Sequence, residues 1–397
     1  MIDYNHLIEL DRLARNDALK YPNKRGLFNQ IFNEKGKHAT AIVGPRGAGK
    51  TVLLKQLSQS IHSSFYLSAD VTGSEDLFQI AKTLKEKWKV TTILLDEIHA
   101  QSNYRSTLKK IYDFLGLRVI FTSSVSLSLL ESSVDLSRRV RIAWLYPFSF
   151  REYILFKTGE DLPGVTFKNI IEKTWLPIHL RFADLFEEYI RGGLMPFSLD
   201  EPDVIPLLRN IVQKVVSYDV PLVASLKTDE LPAITKCIEF IGRSDVDGIN
   251  YSSLSRNIGI TKYKAEAYVN LLEKAFVLNV VFPRGVNVLK EPKILMCLPY
   301  RLLYSPWEKA MGGIREDFFI EAMRMTGHSV QYLKSVRGAK TPDYILKNDK
   351  TDLIIEIGGK SKGREQFKGI HGAKGIILSH SLETEDIRRP LFLAGML

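Results

Sequence analysis

A glycine-rich segment that ends in lysine and threonine is the first feature of this sequence that could do chemistry. Residues 44–51 read GPRGAGKT and match the pattern G-x-x-x-x-G-K-[ST], after an apolar strand and at the start of a helix. Glycines let backbone N–H groups close around phosphate oxygens, and the helix N-terminus adds partial positive charge. We expect Lys50 to reach the β- and γ-phosphates of a nucleotide and the Thr51 hydroxyl to ligate Mg²⁺. The residues expected to contact the nucleotide are Gly44, Pro45, Arg46, Gly47, Ala48, Gly49, Lys50 and Thr51.

Two adjacent acids, Asp96 and Glu97, end the apolar strand TTILLDE. A buried strand that ends in two carboxylates needs a reason, because an unpaired buried charge is costly. We expect Asp96 to hold Mg²⁺ through water or the Thr51 hydroxyl, and Glu97 to orient and deprotonate an attacking water. The alternative is that both acids only cap the following helix.

Short apolar runs and helical segments alternate around these residues. The apolar runs are ATAIVG, SFYLSA, TTILLDE and LRVIFTSS. Such alternation predicts an α/β fold in which helices flank a parallel sheet. The glycine-rich loop and the two acids would each follow a strand of that sheet.

The segments GPRGAGKT, LLDE and FTSS together resemble the AAA+ branch of P-loop ATPases. The resemblance implies ATP as the nucleotide and a polar side chain, Thr122 or Ser123, that senses the γ-phosphate. The further order LLDEIH, TSS, a serine- and leucine-rich stretch with arginine, PFSFREY and GGLMP resembles a prokaryotic AAA+ family. Members of that family carry a winged helix and a C-terminal nuclease-like domain.

The resemblance also implies an arginine that contacts phosphate. Members usually have a small residue and glycine before this arginine, whereas residues 135–139 read DLSRR here. Arg138 and Arg139 are both candidates, acting in their own subunit or in a neighbouring copy of a homo-oligomer. The alternative is that either is a solvated surface charge.

Changes in the sequence pattern along the chain, together with the resemblance, predict four domains. Residues 1–150 form the ATPase domain, 151–230 a helical lid or linker, 231–285 a winged helix, and 286–397 a PD-(D/E)xK nuclease-like α/β domain. In the winged-helix segment, Thr261 would cap a helix that Lys262, Tyr263 and Lys264 open, where a recognition helix presents side chains to DNA. That segment is nearly neutral, so the sequence leaves open whether it binds DNA or protein.

The C-terminal acids Glu316, Asp343 and Glu356 have the order of the acids in PD-(D/E)xK nucleases. The resemblance implies that they hold one or two Mg²⁺ ions, with a lysine two residues after the second strand acid. Here that position is Gly358. The side chains that could compensate are those of Lys360, Lys362 and Gln366. The alternatives are that Asp343 is a strand-edge acid and Glu356 pairs with a lysine, or that the domain binds nucleic acid without cutting it.

Composition limits the remaining possibilities. The chain has 397 residues, a formal net charge of +10 and only two cysteines, far apart in the sequence, so a disulfide scaffold is excluded. Neither a signal peptide nor an apolar run of membrane-spanning length is present, which predicts a cytoplasmic protein without a membrane partner. Residues 331–380 hold ten basic and five acidic residues, which favours a polyanionic partner.

Taken together, the sequence predicts an ATPase that hydrolyses Mg-ATP and moves its winged-helix and nuclease-like units, with DNA as the favoured client. One alternative is a metal-dependent nuclease that ATP regulates. The other is a nucleotide-operated switch that binds a protein client and no nucleic acid.

Overall fold

The computed structural model describes eleven stretches of the chain. These are residues 2–71, 76–101, 103–124, 139–224, 226–244, 248–285, 291–333, 341–347, 352–359, 367 and 374–397. The chain divides into two compact units, Met1–Pro147 and Phe148–Leu397. None of the helices in the described stretches is long and apolar enough to cross a membrane.

A five-stranded parallel sheet forms the centre of the first unit. Its strands are β1 (Ala39–Val43), β2 (Ser64–Ser68), β3 (Thr92–Asp96), β4 (Arg118–Ser123) and β5 (Val140–Trp144), in the order β2-β3-β4-β1-β5. The parallel sheet predicted from the alternating pattern is therefore confirmed. Because all strands run the same way, the residues that follow β1, β3 and β4 meet at one edge of the sheet.

Helices cover this sheet. They are α1 (Tyr4–Ala18), α2 (Gly26–Phe32), α3 (Lys50–Ser60), α4 (Leu77–Trp88) and α5 (Tyr104–Lys110), which continues as a wider π-helical turn to Leu115. One core cluster joins Phe28 of α2 and Leu54 of α3 to Leu94 of β3 and Ile120 of β4. This packing fixes the start of α3, and with it the glycine-rich loop, against the sheet.

The second unit begins with helices. They are α6 (Phe150–Thr158), α7 (Phe167–Glu172), α8 (Pro177–Leu180), α9 (Leu185–Glu188), α10 (Ile205–Lys214), α11 (Val220–Val223), α12 (Leu231–Arg243), α13 (Tyr251–Ile258) and α14 (Lys262–Lys274). An antiparallel pair, β6 (Leu278–Val281) and β7 (Lys293–Met296), follows α14. Three helices followed by strands match the order predicted for residues 231–283, and the winged-helix interpretation stays a prediction.

A mixed sheet lies near the C-terminal end of this unit. Its strands are β8 (Val330–Tyr332), β9 (Tyr344–Leu346), β10 (Leu353–Gly358), β11 (Lys374–Ser379) and β12 (Arg388–Pro390), paired in chain order. The β8–β9 and β9–β10 pairs are antiparallel, and the other two pairs are parallel. The long helix α15 (Trp307–Met325) precedes the sheet and stacks Phe319 on Tyr344, with ring centroids 5.6 Å apart.

Two sequence-based expectations change here. The sequence predicted a helix from Ile314, but α15 starts at Trp307. Gly312 and Gly313 lie inside the helix, and because glycine is unfavourable there, the pattern did not indicate the first turns. One hydrophobic core also runs through the second unit and joins Tyr153, Ile238 and Phe318, which belong to three different predicted domains. The finer division of residues 151–397 remains a prediction.

Candidate nucleotide site and a second carboxylate site

The loop between β1 and α3 has the backbone shape that its glycines allow. Gly47 and Gly49 have φ of 80° and 89°, in the left-handed region where other residues are strained. Gly44 is required by packing, since a β-carbon there would lie 1.9 Å from the carbonyl oxygen of Leu145. Thus three of the loop glycines are explained by backbone geometry.

Lys50 is the first residue of α3, and its ammonium lies inside the loop. The side chain is 5% exposed, and Nζ donates hydrogen bonds to the carbonyl oxygens of Gly44 and Pro45, each at 2.9 Å. Thr51 follows in the first turn of the helix. The predicted phosphate-binding lysine is therefore held at the centre of the loop by the loop's own backbone.

Arg25 connects this loop to the end of β5. One guanidinium nitrogen donates to the carbonyl oxygens of Ala48 at 3.2 Å and Tyr146 at 2.7 Å, and the other donates to Pro147 at 3.1 Å. No local pattern marked Arg25 as a site residue, because its partners are distant in sequence. Its contacts stabilise the loop from outside the motif.

Asp96 lies at the end of β3 and is 3% exposed. The Tyr66 hydroxyl donates to one carboxylate oxygen at 2.9 Å, and the Thr122 hydroxyl donates to the other. Burial and the negative charge of Asp96 raise the pKa of Tyr66, so the phenol stays protonated and remains a donor. Both oxygens of the predicted metal-binding carboxylate are thus oriented by hydroxyl groups.

Glu97 turns away from the strand with left-handed φ and ψ of 49° and 46°. Its backbone N–H donates to the Thr122 hydroxyl oxygen at 2.8 Å, and its carboxylate lies 3.0 Å from Nε2 of His99. The same His99 nitrogen is 3.4 Å from the Ser124 hydroxyl. Asp96, Glu97 and Thr122 therefore form one hydrogen-bonded group.

The two predicted sensor residues have different surroundings. Thr122 is fully buried and its hydroxyl contacts both acids, whereas Ser123 is opposite Val43, the last residue of β1 before the loop. Ser123 therefore lies on the strand position nearest to the loop. Thr122 instead forms hydrogen bonds with Asp96 and with the backbone of Glu97.

Of the two candidate arginines, Arg138 lies outside the described residues. Arg139 precedes β5 at the amino edge of the sheet, where its carbonyl oxygen accepts a hydrogen bond from Ala39 at 2.8 Å. Its guanidinium forms a two-point contact with Asp113 at 2.9 and 3.2 Å. Five residues of β1 separate this edge from the loop, roughly 16 Å at about 3.3 Å per residue. The structure does not bring Arg139 to the phosphate loop of its own chain.

The segment that contains this site matches a known family model. Residues 36–154 match the family model described as "AAA domain", and that range includes the loop, both acids and β4. The first unit is thus α/β with a five-stranded parallel sheet, and its residues 36–154 are similar to an AAA domain.

A second family model and a relative of similar length also match this chain. Residues 183–297 match a model described as "Domain of unknown function (DUF8612)". The chain is 27% identical over 409 residues to "Uncharacterized protein MJ1637" of Methanocaldococcus jannaschii, an alignment that covers 91% of this chain and 85% of the relative.

Two solved structures align with parts of this chain. The Walker-type ATPase PABY2304 of Pyrococcus abyssi has a TM-score of 0.42 and 12% identity, covering 69% of this chain and 92% of that one. The ORC1 protein of Aeropyrum pernix, solved in complex with DNA, has a TM-score of 0.29 and 14% identity, covering 75% and 93%.

In the second unit, the predicted acids lie within electrostatic range of one another. Burial, together with the negative charges of Glu316 and Glu356, raises the pKa of Asp343 to about 8. Asp343 also accepts a hydrogen bond from the backbone N–H of Ile357 at 2.8 Å. Glu356 is 1% exposed on β10.

A lysine outside the predicted set contacts this group. The Lys293 ammonium and the Tyr344 hydroxyl both donate to the same oxygen of Glu316. Among the residues that the structure describes, no three His, Cys, Asp or Glu side chains form a group that could hold a metal ion. Lys360, Lys362 and Gln366 lie outside the described residues. The predicted carboxylates are neighbours, but the structure does not arrange them as a metal centre.

The helix predicted to recognise DNA is capped as expected, with the Thr261 hydroxyl accepting from the backbone N–H of Lys264 at 3.2 Å. The two lysines in its first turn pair with acids of the same unit: Lys262 with Glu291 at 2.5 Å and Lys264 with Glu230 at 3.2 Å. Tyr263 is 80% exposed. In these ion pairs, acids of the protein contact the ammonium groups that a recognition helix would present to phosphate.

Proposed function

We propose that this chain binds Mg-ATP at residues 44–51 and hydrolyses it by attack of water on the γ-phosphate. The supporting observation is the strand order, in which β4 lies between β1 and β3. That order brings Lys50, Thr122 and the acid pair to the same edge of the sheet.

Each residue has a role in this proposal. The loop N–H groups and Lys50 bind the β- and γ-phosphates, and Ser123, opposite Val43, is the candidate sensor of the γ-phosphate. Thr51 and Asp96 would hold Mg²⁺, which when bound neutralises phosphate charge. The hydroxyl and carboxylate oxygens of these two residues are the hard ligands that Mg²⁺ prefers, so they fit the ion.

Glu97 accepts a proton from the attacking water. A bond forms between the water oxygen and the γ-phosphorus, and the bond from that phosphorus to the bridging oxygen breaks, so ADP and phosphate are released. Thr122 positions both acids through the backbone of Glu97 and the carboxylate of Asp96. The arginine contact to phosphate would then come from a neighbouring copy in a homo-oligomer, with Arg138 and Arg139 as the candidates.

We further propose that ATP turnover drives movement of the second unit and that DNA is its client. The positive charge of residues 331–380 supports a polyanionic partner. The mixed sheet with α15 before it supports the nuclease-like interpretation, and the three helices with β6 and β7 support the winged-helix one. Lys293 on Glu316 favours a domain that binds nucleic acid without cutting it.

The nucleotide part of the proposal is tested by binding of a fluorescent ATP analogue. Lys50→Ala should lose most of the affinity, because the substitution removes the one ammonium among residues 44–51. Lys55→Ala is the matched control on the same helix. Lys55 does not belong to the loop, and its ammonium lies 2.9 Å from a carboxylate oxygen of Asp17. Equal affinity of Lys50→Ala and Lys55→Ala would reject the site.

The client is tested by gel shifts with single- and double-stranded DNA across a salt series. Binding to phosphates should weaken steeply as salt rises. Absence of any shift at low salt, with ATPase activity intact, would favour the protein-binding switch. DNA cleavage that Asp343→Ala removes while ATPase activity persists would favour the nuclease.

A further inference from the structure

A cavity of about 600 Å³ opens beside the carboxylates of the second unit. We call it the α15 cavity, because Lys309, Gly312 and Arg315 of that helix line it. Lys293 of β7 and the backbone of Gly358 and Gly359 line it as well. The charged side chains of its described lining are four cations, Lys293, Arg301, Lys309 and Arg315, and two carboxyl groups, Glu316 and Asp343. Lys293 and Arg301 pair with acids, which leaves Lys309 and Arg315 as the cations available to an anion.

Arg315 is the most informative of the lining residues. Its guanidinium is half-buried, and the buried Nε has no hydrogen-bond partner in the described part of the chain. Nη1 lies 3.6 Å from where a β-carbon of Gly359 would be, which places the guanidinium at the cavity wall. Burying an unpaired N–H is costly unless a ligand accepts its hydrogen bond, and the planar donor fork of a guanidinium matches phosphate oxygens.

The two adjacent glycines of α15 have different reasons to be glycine. A β-carbon at Gly313 would lie 2.7 Å from the Arg301 guanidinium, so packing excludes a side chain there. A β-carbon at Gly312 would meet nothing within 4 Å. Glycine is unfavourable inside a helix, and packing does not require it at Gly312. Without a side chain at Gly312, a ligand can approach the helix backbone closely.

The residues do not fit the metal that the nuclease resemblance implies. One oxygen of Glu316 accepts from the Tyr344 hydroxyl and from the Lys293 ammonium, so this carboxylate already has a positive partner in the protein. No metal-holding group of three such side chains occurs in the stretches that the structure describes. The positive charge beside these carboxylates comes from the protein itself.

We propose that the α15 cavity binds a phosphate group of a nucleic-acid backbone and that this binding needs no divalent metal. Arg315 and Lys309 contact the phosphate oxygens, and Gly312 lets the backbone approach. Lys293 neutralises Glu316 in place of a metal ion. This inference rests on the proposed DNA client for the source of the phosphate, since a free nucleotide carries the same chemistry.

The test is fluorescence anisotropy with labelled single- and double-stranded DNA in EDTA. The double variant Lys309→Ala/Arg315→Ala should bind at least ten-fold more weakly at low salt, and the slope of log affinity against log salt should fall by about two. Gly312→Leu should also weaken DNA binding. Lys236→Ala is the matched control, because Lys236 is an exposed helical lysine that does not line the cavity. It should change affinity less than two-fold.

Three results would overturn the inference: DNA binding by the double variant equal to that of Lys236→Ala, an unchanged affinity in Gly312→Leu, or DNA binding that EDTA abolishes. DNA binding that persists in the double variant leaves the proposed client standing while the cavity assignment fails. A second arm measures ADP binding to Lys50→Ala, where the phosphate loop is disabled. Arg315-dependent ADP binding without DNA binding would support the phosphate site and reject the DNA client.

Discussion

The buried hydroxyl of Thr122 donates a hydrogen bond to the carboxylate of Asp96. The hydroxyl oxygen of Thr122 also accepts a hydrogen bond from the backbone N–H of Glu97 at 2.8 Å. One side chain of β4 therefore sets the positions of both acids that follow β3. The orientation of the candidate general base depends on a residue that does not itself need to contact water.

Thr122→Val should separate positioning from nucleotide binding. Valine keeps the shape of threonine but removes the hydroxyl, so one oxygen of Asp96 loses a donor and Glu97 loses a backbone acceptor. We expect kcat to fall at least ten-fold with a much smaller change in ATP affinity, and stability to fall by about 1–3 kcal/mol. ATPase rates, nucleotide titrations and thermal unfolding measure these effects.

Thr122→Ser is the control for this prediction, because serine keeps the hydroxyl. It should retain most of the activity. If valine and serine at this position give equal rates, the hydroxyl does not position the acids.

The two glycines of α15 should respond in opposite directions to alanine. Gly312→Ala adds a methyl group into open space and should stabilise the helix by up to about 1 kcal/mol. Gly313→Ala pushes against Arg301, which forms a buried two-point ion pair with Asp317 at 2.6 and 3.0 Å, and should destabilise the protein. Chemical denaturation of both variants beside the wild type provides the comparison, and the reverse order of stabilities would contradict it.

Glu321 should make stability depend on pH. Burial raises its pKa to about 7 from 4.5. An acid with a higher pKa in the folded state stabilises the protein below pH 4.5, and this contribution is lost as the pH rises through 7. Glu321→Gln keeps an acceptor for the backbone N–H of Leu298, which now donates to Glu321 at 2.8 Å.

The variant should therefore unfold at a higher temperature than the wild type at pH 8. The difference should be worth on the order of 3 kcal/mol at most and should vanish below about pH 4.5. Melting curves of both proteins from pH 4 to 8 measure it. Parallel curves across this range would show that Glu321 is not the responsible group.

The sequence indicates the candidate nucleotide site where a short segment carries its own mechanism. The glycines and Lys50 belong to one loop, and the acids end a strand whose apolar run is visible. Tyr66 and Arg25 were missed, because their contacts with Asp96 and with the loop join segments that are distant in the chain. Such contacts depend on strand order and packing, which a local pattern does not specify.

The C-terminal unit shows the same limit. Glu316, Asp343 and Glu356 were predicted to be neighbours from their order along the chain, and the charges that raise the pKa of Asp343 agree. Lys293 was not predicted, because β7 lies in a different part of the sequence from the three acids. Arg139 is the opposite case, since its place in the motif order suggested a phosphate contact while the register of β5 with β1 places it at the far edge.

The central claim, that Glu97 is the base for ATP hydrolysis, is tested most directly by Glu97→Gln. ATP affinity and steady-state turnover should be measured on the same preparation, with wild type and Lys50→Ala alongside. The account predicts that Glu97→Gln binds ATP as the wild type does while turnover falls at least a hundred-fold, within the range that general-base catalysis contributes. Turnover by Glu97→Gln at the wild-type rate would contradict it.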